Sequence, residues 1–504
     1  MSSPGNTGRI QRPLTRVARR ILFERGLDQQ IEDDLPYISS IDLAHVLMLA
    51  EENIIQAGAA QRLLKRIMTL REQHFVPLKS RSSLRGLFLL YENYLIEAEG
   101  ARIGGLLQTA RSRNDLNATL VRLKLRQPYV QVLNSIFRLQ AVLLRKAGLH
   151  AAVVMPAYTH GQPAEPITYG HYLAGAAAAI SRDLEALIYA ARDIDTSPLG
   201  AGTVAGTAVP INAARTADLL GFRSCRLNSV DAVASRDVVL HLLAGAAIFG
   251  TTLSRIATDL LQWLTHEFHF LWLPDELVGS SSAMPQKRNP FLLEHVQGRT
   301  ASALGAFVTA VGATHSAPFT NTIACGTESV RPLWGALNDI ADAATLLRLV
   351  VSQARPCPDR MLRRAAEGFV NATALATRMA LEQNIDFRSA HYLVGKAVTE
   401  AMARGLVSLD QPASSDAAGV GNVAGDWDPA SCVVRAKYGG GPSPENLKAA
   451  IVRLRENWLD QYHVISRQRA RWAAASRGLE QSVRDFFSGQ QTHQHHQPAV
   501  CAGK

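Results

Sequence analysis

The sequence is poor in the residues that mark several classes of protein. Only five of its 504 residues are cysteines, and none of them forms a CxxC pair. Scattered cysteines of this kind argue against a disulfide framework or a zinc site, and they fit a reducing compartment. No secretory hydrophobic segment is present at the N-terminus. We therefore expect a cytoplasmic protein without a metal site.

Aromatic residues are also scarce, at 6% of the chain, although the net charge is +10. The 53 lysines and arginines are spread along the sequence among 43 acidic residues, and aromatic residues do not interleave with them. This distribution argues against nucleic-acid binding as the main function. A milder use of the positive charge is the attraction of a polycarboxylate substrate.

Long uninterrupted apolar runs and alternating β-branched runs are rare as well. The most apolar stretch, residues 238–257, contains His241 and Arg255, which favours a core helix of a bundle over a membrane span. Most other apolar residues recur at helical spacing, as at Leu333, Leu337 and Ile340. The sequence therefore predicts an all-α protein that does not enter a membrane.

Breaks in the helical patterns suggest a division of the chain. We expect a polar arm to about residue 25 within an N-terminal helical domain, residues 1–110. A central domain of long helices, residues 111–365, would carry a polar loop at 279–290. Pro356 and Pro358 mark its end, before a small helical domain, residues 366–470. Residues 471–504 would form a C-terminal helix and a disordered tail.

The polar loop from Gly279 to Pro290 is the most informative stretch. Three serines followed by Pro285 cannot propagate a helix well, and alone they would indicate a solvated turn. The continuation Met-Pro-Gln-Lys-Arg-Asn changes that interpretation. The loop resembles the Gly-Ser-Ser-x-Met-Pro-x-Lys-x-Asn signature of the fumarase/aspartase superfamily, and Pro-Gln-Lys points to its argininosuccinate lyase branch.

Other motifs of that branch occur in the same order along the chain. Residues 111–115 resemble its Thr-Gly-Arg-Ser-Arg-Asn-Asp motif, although Ser112 or Asn114 could also cap a helix. Residues 155–162 resemble Met-Pro-Gly-Tyr-Thr-His-x-Gln. The glycine-rich residues 197–207 and the segment 228–237, which includes Arg236 and Asp237, also resemble family segments; the former lacks the context of a phosphate cradle.

The resemblance implies three helical regions whose long central helices assemble into a homotetrameric bundle. Active sites in the family are built from three subunits. The implied reaction is a reversible β-elimination that releases fumarate and an amine from a succinyl group. It needs a base and groups that stabilise a dianionic aci-carboxylate, and it needs no cofactor.

Roles carry over from the family's motifs to single residues. Ser281 would be the general base, and its alkoxide would need stabilisation by loop amides and nearby cations. Lys287 and Asn289 would stabilise the aci-carboxylate, and His160 paired with Glu294 would assist departure of the amine. The residues expected to bind substrate carboxylates or donate hydrogen bonds to the substrate are Ser112, Arg113, Asn114 and Thr159.

The sequence departs from argininosuccinate lyases in places that concern specificity. Their glycine before the serine pair is Ser280 here, and their His-Thr-Gly is Gln108-Thr109-Ala110. Their Glu-Asp-x-His region is apolar here, at residues 86–90. After Pro318, Thr320, Cys325 and Glu328 replace a Tyr, a Gln and a Lys that grip substrate, and Arg331 is a candidate replacement for the lost cation.

These changes predict that the amine product differs from arginine, because buried polar groups set specificity strongly. We expect a carbon–nitrogen lyase for another N-substituted aspartate, such as the aminopolycarboxylate ethylenediamine-N,N'-disuccinate. The alternative is cleavage of argininosuccinate itself. A non-enzymatic protein, like the lens crystallins related to this family, is disfavoured because Ser281, His160, Lys287, Asn289 and Glu294 are all retained.

Overall fold

The structure is a computed structural model that describes residues 14–79, 81–82, 85–409 and 428–489. Within these residues most of the chain is helical, and its few short strands form three two-stranded sheets, so the predicted all-α class is confirmed. The tail predicted at the C-terminus lies outside the described residues from position 490 onwards.

Six helices form the N-terminal region. They are α1 (Arg16–Arg19), α2 (Leu27–Glu51), α3 (Ala57–Glu72), α4 (Val76–Lys79), α5 (Leu87–Glu99) and α6 (Ala101–Gly104). The polar arm predicted to about residue 25 is wrong for residues 16–24, where α1 continues into a π-helical turn. Thr15 starts this segment by accepting a hydrogen bond from Ala18 N through its side chain (3.3 Å).

The apolar residues of α2, α3 and α5 pack into one N-terminal core. It includes Leu43, Val46 and Leu47, and also Leu87 and Leu90 from the apolar segment 86–90. That segment thus begins a helix that faces the core. Leu479 and Val483, from the far end of the chain, complete the same cluster.

Seven helices and five short strands form the central region. The helices are α7 (Arg113–Leu149), α8 (Tyr169–Ala190), α9 (Ala213–Leu219), α10 (Ser229–Ala234), α11 (Asp237–Trp263), α12 (Phe291–His315) and α13 (Arg331–Gln353). The strands are β1 (Val154–Thr159), β2 (Gln162–Thr168), β3 (Thr196–Ser197), β4 (Ser224–Cys225) and β5 (Leu271–Trp272). The largest hydrophobic cluster lies between α7, α8, α11, α12 and α13.

These five long helices run in alternating directions and give the bundle two ends. The first end holds the start of α7, the turns after α8, the start of α11 and the turn between α12 and α13. The second end holds the β1–β2 hairpin, residues 264–290 and the strand pair of β5 with β6 (Arg355–Pro356). At about 1.5 Å per residue, the 25 residues of α12 separate the two ends by ~37 Å.

The C-terminal region lies at the second end and then returns along the bundle. It contains α14 (Pro358–Ala366), α15 (Ala372–Glu382), α16 (Phe387–Ala403), α17 (Pro429–Arg435) and α18 (Pro444–Ser488). In α18, Trp458 Nε1 donates to Phe137 O (3.0 Å), and Trp472 Nε1 donates to the Asp195 carboxylate (2.8 Å). The domain bounds remain a prediction, and the one at residue 470 falls inside this unbroken helix.

Among the described residues, α11 is the one helix long and apolar enough by composition to cross a membrane, and half of its most apolar window is buried inside the protein. Its buried residues, including Leu242, Phe249 and Leu253, belong to the central hydrophobic cluster. This agrees with the prediction of a bundle-core helix at residues 238–257.

Candidate active site

The start of α7 is organised by a reciprocal cap between Ser112 and Asp115. The Ser112 hydroxyl accepts a hydrogen bond from Asn114 N (3.3 Å), and Ser112 N donates to Asp115 Oδ1 (3.0 Å). The capping role considered for Ser112 is thus real. It also fixes the positions of Arg113, which is exposed, and Asn114, which is half-buried.

Asp115 joins this helix start to the glycine-rich loop. Its second carboxylate oxygen accepts hydrogen bonds from Gly200 N (3.1 Å) and Gly202 N (2.9 Å), and the residue is fully buried. Gly202 has a φ of 61°, and a Cβ there would lie 2.7 Å from Gly206 O. Only glycine therefore fits this turn without strain.

Asn114 connects two loops at the first end of the bundle. Its Nδ2 donates to Thr203 O in the glycine-rich loop (3.0 Å), while its Oδ1 accepts from Asn321 Nδ2 (2.8 Å). The neighbouring Ser229 hydroxyl donates to Val204 O (2.7 Å). Three motifs that are far apart in sequence, at residues 112–115, 197–207 and 228–232, are thus brought together.

Asn321 belongs to the segment in which this sequence departs most from argininosuccinate lyases, residues 319–331. Cys325 is buried, and Glu328 forms an ion pair with Arg331. Phe319 and Ile323, on either side of Asn321, are exposed. The divergent segment therefore contacts the candidate substrate-binding Asn114 within one chain.

Arg236 lies under the same segment. It belongs to the family-like segment 228–237, but no role was predicted for it from the sequence. Its Nη1 donates to Val233 O and Ser235 O (both 2.9 Å), while its Nε and Nη2 are buried and have no hydrogen-bond partner. A Cβ on Gly326 would lie 3.6 Å from Nη2. Burial lowers the pKa of this guanidinium, and the nearby Cys325 raises it.

A buried polar network supports the segment before Ser112. Arg111 pairs with Asp42 of α2 in a buried ion pair, and His45 Nε2 lies 3.0 Å from Thr109 O. Burial, followed by the charge of Arg111, lowers the pKa of His45 to about 3, so the ring is neutral at pH 7. Ala110, where the family has glycine, has a left-handed φ of 57°.

The second end carries the polar loop 279–290. Gly279 and Asn289 close it with two backbone hydrogen bonds of 2.8 Å each. Arg288 anchors it by pairing with Asp275 and by donating to Leu273 O (2.7 Å). Residues 282–288 are exposed in the single chain, and Ser281 is half-buried.

The Ser281 hydroxyl faces the backbone of its own loop. Its Oγ accepts hydrogen bonds from Met284 N (3.2 Å) and Ala283 N (3.4 Å). Two N–H groups directed at one oxygen stabilise negative charge on it. Lys287, in the same loop, is exposed.

His160 and Thr159 lie at the tip of the β1–β2 hairpin, which was not predicted from the sequence. His160 and Gly161 form its two-residue turn with φ values of 53° and 74°. Proline at positions 156, 163 and 166 hides the strands from pattern analysis. A two-residue turn ending in glycine is the feature that could have revealed the hairpin.

Glu294 is exposed in the first turn of α12, immediately after the polar loop. Among the described residues, no hydrogen bond or ion pair joins it to His160. The candidate residues thus form a set at the first end, Ser112, Arg113 and Asn114, and two groups at the second end. The length of α12 keeps Ser281 and Asn114 of one chain apart by roughly 37 Å.

Within the described residues, no group of three or more His, Cys, Asp or Glu side chains is placed to hold a metal ion.

Comparison with known proteins decides the family. Residues 92–305 match the family described as Lyase, and residues 369–429 match the family described as Argininosuccinate lyase C-terminal. Argininosuccinate lyase 1 of Shouchella clausii is 32% identical to the chain over 401 residues, which are 80% of either sequence. The chain belongs to the argininosuccinate lyase family.

Solved structures agree with this membership. A variant of EDDS lyase with bound fumarate has 27% identity and a TM-score of 0.83, over 95% of this chain and 97% of that one. Class II fumarase from Schistosoma mansoni, 16% identical over 76% and 88% of the two chains, shares the fold with a TM-score of 0.62. As a member of this branch of the fumarase/aspartase superfamily, the protein is a carbon–nitrogen lyase that releases fumarate.

Proposed function

We propose that this argininosuccinate lyase family member cleaves an aminopolycarboxylate, of which ethylenediamine-N,N'-disuccinate is the leading candidate, into fumarate and an amine. The observation that carries the proposal is the hydrogen bond between Asn321 and Asn114. It joins the most divergent segment to the motif expected to hold the succinyl group. Changes at residues 319–331 therefore bear directly on the part of the substrate next to that group.

The proposed base is Ser281, which removes a proton from the carbon beside a succinyl carboxylate. A serine hydroxyl is a weak base, but the amides of Ala283 and Met284 already point at its oxygen and would stabilise the alkoxide. Lys287 and Asn289, from the same loop, would hold the aci-carboxylate that forms. The electron pair of the former C–H bond then forms the double bond of fumarate, and the C–N bond to the amine breaks.

Departure of the amine is assigned to His160 with Glu294, as the family resemblance implies, and Thr159 would donate a hydrogen bond to the substrate. Ser112, Arg113 and Asn114 would bind substrate carboxylates. The Arg113 guanidinium is exposed and matches a carboxylate in charge and shape. No residue in this scheme calls for a cofactor.

We further propose a homotetramer whose subunits share each site. Ser281 and Asn114 lie at opposite ends of one bundle, so an antiparallel neighbour is needed to bring both to one substrate. Leu304 and Val308, which lie one helical turn apart on α12, are at least half exposed, and Ile248 of the neighbouring α11 is exposed as well. Exposed apolar side chains on adjacent helices are typical of an interface, which supports association along this surface.

Arg236 is a better candidate than Arg331 to replace the lysine that the divergent segment has lost. Arg331 is exposed and pairs with Glu328, whereas Arg236 is 3% exposed and keeps two N–H-bearing atoms without a partner. We assign Arg236 to the electrostatic environment of the substrate at the first end. It is close enough to Gly326 to influence the segment that contacts Asn114.

Fumarate absorbance with two substrates tests the specificity. We expect rapid release from ethylenediamine-N,N'-disuccinate and slow or no release from argininosuccinate. Argininosuccinate cleavage is the second candidate, and the curated relatives of that name favour it. Turnover of argininosuccinate alone would select it and reject the first proposal.

The base assignment is tested with Ser281→Ala, using Ser282→Ala as the neighbouring control. We expect Ser281→Ala to abolish fumarate release with an unchanged unfolding midpoint, while Ser282→Ala keeps measurable turnover. Full activity of Ser281→Ala would refute the assignment.

Mixing two inactive variants tests the shared site. Ser281→Ala and Asn114→Ala are denatured together in equal amounts and refolded. If each site takes these residues from different chains, random assembly leaves about a quarter of the sites intact. Both residues acting from one chain would leave none intact, so the absence of recovered activity in correctly assembled tetramers would contradict the shared-site proposal.

A further inference from the structure

A cavity that is distinct from the candidate active site lies between α2, α3, α7 and α18. Its volume is about 510 Å³, enough for a small organic molecule. Arg126 in its wall is twelve residues along α7 from Asn114, which corresponds to ~18 Å. The cavity therefore does not belong to the groups gathered around Asn114.

Three arginines from three different helices line this cavity. They are Arg71 of α3, Arg126 of α7 and Arg469 of α18. None of them forms an ion pair with a carboxylate of the described residues. By contrast, the buried Arg111 does have such a partner, since it pairs with Asp42 of α2.

Arg126 is held rigidly and remains incompletely satisfied. Its guanidinium stacks between the rings of Phe222 (4.7 Å) and Trp472 (4.9 Å), and its Nη1 donates to Leu220 O (2.8 Å). Its Nε and Nη2 are buried without a partner. Burial lowers its pKa to about 10, so it remains charged at neutral pH.

The acidic groups nearest to these arginines are engaged or distant. Asp195 accepts hydrogen bonds from Gln468 (2.9 Å) and Trp472 (2.8 Å) and pairs with Arg471. Burial lowers the pKa of Arg71, and the charge of Glu480 offsets part of this effect, but the two side chains do not form an ion pair. Arg71 itself donates to Pro36 O (2.8 Å) and to Ser39 Oγ (2.6 Å) through one nitrogen, Nη1.

The rest of the wall combines apolar and uncharged polar side chains. Leu123, Val130, Leu479 and Trp472 contribute apolar surface, and the polar groups come from Tyr37, Ser40, Gln127 and Ser476. A ligand that matches this lining carries negative charge for the guanidinium groups and an apolar body for the leucine and aromatic side chains.

We propose that this cavity binds a small organic anion, with one carboxylate, sulfonate or phosphate group attached to an apolar body. Its helices also support the candidate active site, because Asp42 of α2 pairs with Arg111 and Ser112 caps the start of α7. The binding itself does not depend on the proposed substrate or base.

Fluorescence titration with 8-anilinonaphthalene-1-sulfonate, an aromatic sulfonate, tests the site on the full-length protein. We expect saturable binding of one molecule per chain, displaced by benzoate and unaffected by saturating fumarate. Displacement by fumarate would assign the signal to the catalytic site and overturn the proposal. Displacement by inorganic phosphate but not by benzoate would overturn the requirement for an apolar body.

Two matched pairs of variants on α18 locate the binding. Arg469→Gln removes one charge and Ser476→Trp fills the cavity, whereas Arg467→Gln and Ala474→Trp alter exposed residues that do not line it. Arg469 and Ser476 are also exposed, so these substitutions leave the helix intact. We expect at least tenfold weaker binding in the first pair and less than twofold change in the second. Equal effects in both pairs, or no saturable binding by the wild type, would overturn the proposal.

Discussion

Asp115 offers the sharpest test of how the first end is built. Its carboxylate accepts three backbone N–H groups, from Ser112 (3.0 Å), Gly200 (3.1 Å) and Gly202 (2.9 Å). Asp115→Asn can keep the bond to Ser112 but turns an NH2 group towards the two glycine donors. Each buried donor left without a partner costs about 1–3 kcal/mol, so the substitution should cost about 2–6 kcal/mol.

That cost is a large share of the ~5–15 kcal/mol by which a folded domain is normally stable. We expect a lower urea midpoint, measured at fixed protein concentration because assembly contributes to stability. We also expect fumarate release to fall, since the glycine-rich loop that holds Asn114 through Thr203 is no longer anchored.

Asp218→Asn is the control, because that side chain is 70% exposed and belongs to the same region. It should change the urea midpoint very little. If Asp115→Asn behaved like Asp218→Asn in both unfolding and fumarate release, the role of Asp115 as the anchor of the loop would be refuted.

Three further predictions follow from particular residues. Burial lowers the folded pKa of His45 from 6.5 to about 3, so the neutral ring stabilises the fold fully above pH 6.5. This stabilisation is lost as the pH falls towards 3, by roughly 1.4 kcal/mol per pH unit. The free energy of unfolding of His45→Gln, measured in urea, should depend less on pH over this range, and an unchanged pH dependence would contradict the assignment. Gly202→Ala should lower the thermal unfolding midpoint more than Gly206→Ala, because both have positive φ but only the first Cβ would meet a backbone oxygen; equal losses would rule out the steric argument. Val308→Glu should dissociate the proposed tetramer in size-exclusion chromatography while Val464→Glu, on exposed α18, should not; intact tetramers in both would exclude the α12 surface as an interface.

Much of the chemistry could be predicted because it is written in short, contiguous motifs. The loop from Gly279 to Asn289 carries its serine, lysine and asparagine within eleven positions, and its backbone amides reach Ser281 from two and three residues away. Local spacing of this kind is visible in a sequence. The cap formed by Ser112 and Asp115 is equally local, although its second role towards the glycine-rich loop is not.

Contacts over long sequence separations were missed. The roles assigned to Arg236 and Asn321 follow only from the tertiary structure, in which the turn after α12 lies against the start of α7. The β1–β2 hairpin was overlooked because its prolines break the alternation that marks strands. The 45-residue α18 crosses a predicted domain boundary because its apolar residues contact two separate cores in turn.

The sequence by itself determined the helical class, the family and the release of fumarate that comes with it, because residue type and local spacing encode them. Only the tertiary structure decided that Ser281 and Asn114 lie at opposite ends of the bundle and that the divergent segment touches Asn114. It also gathered Arg71, Arg126 and Arg469 around one cavity. The reason is geometric: helix length and chain direction set these distances, and no short motif records them.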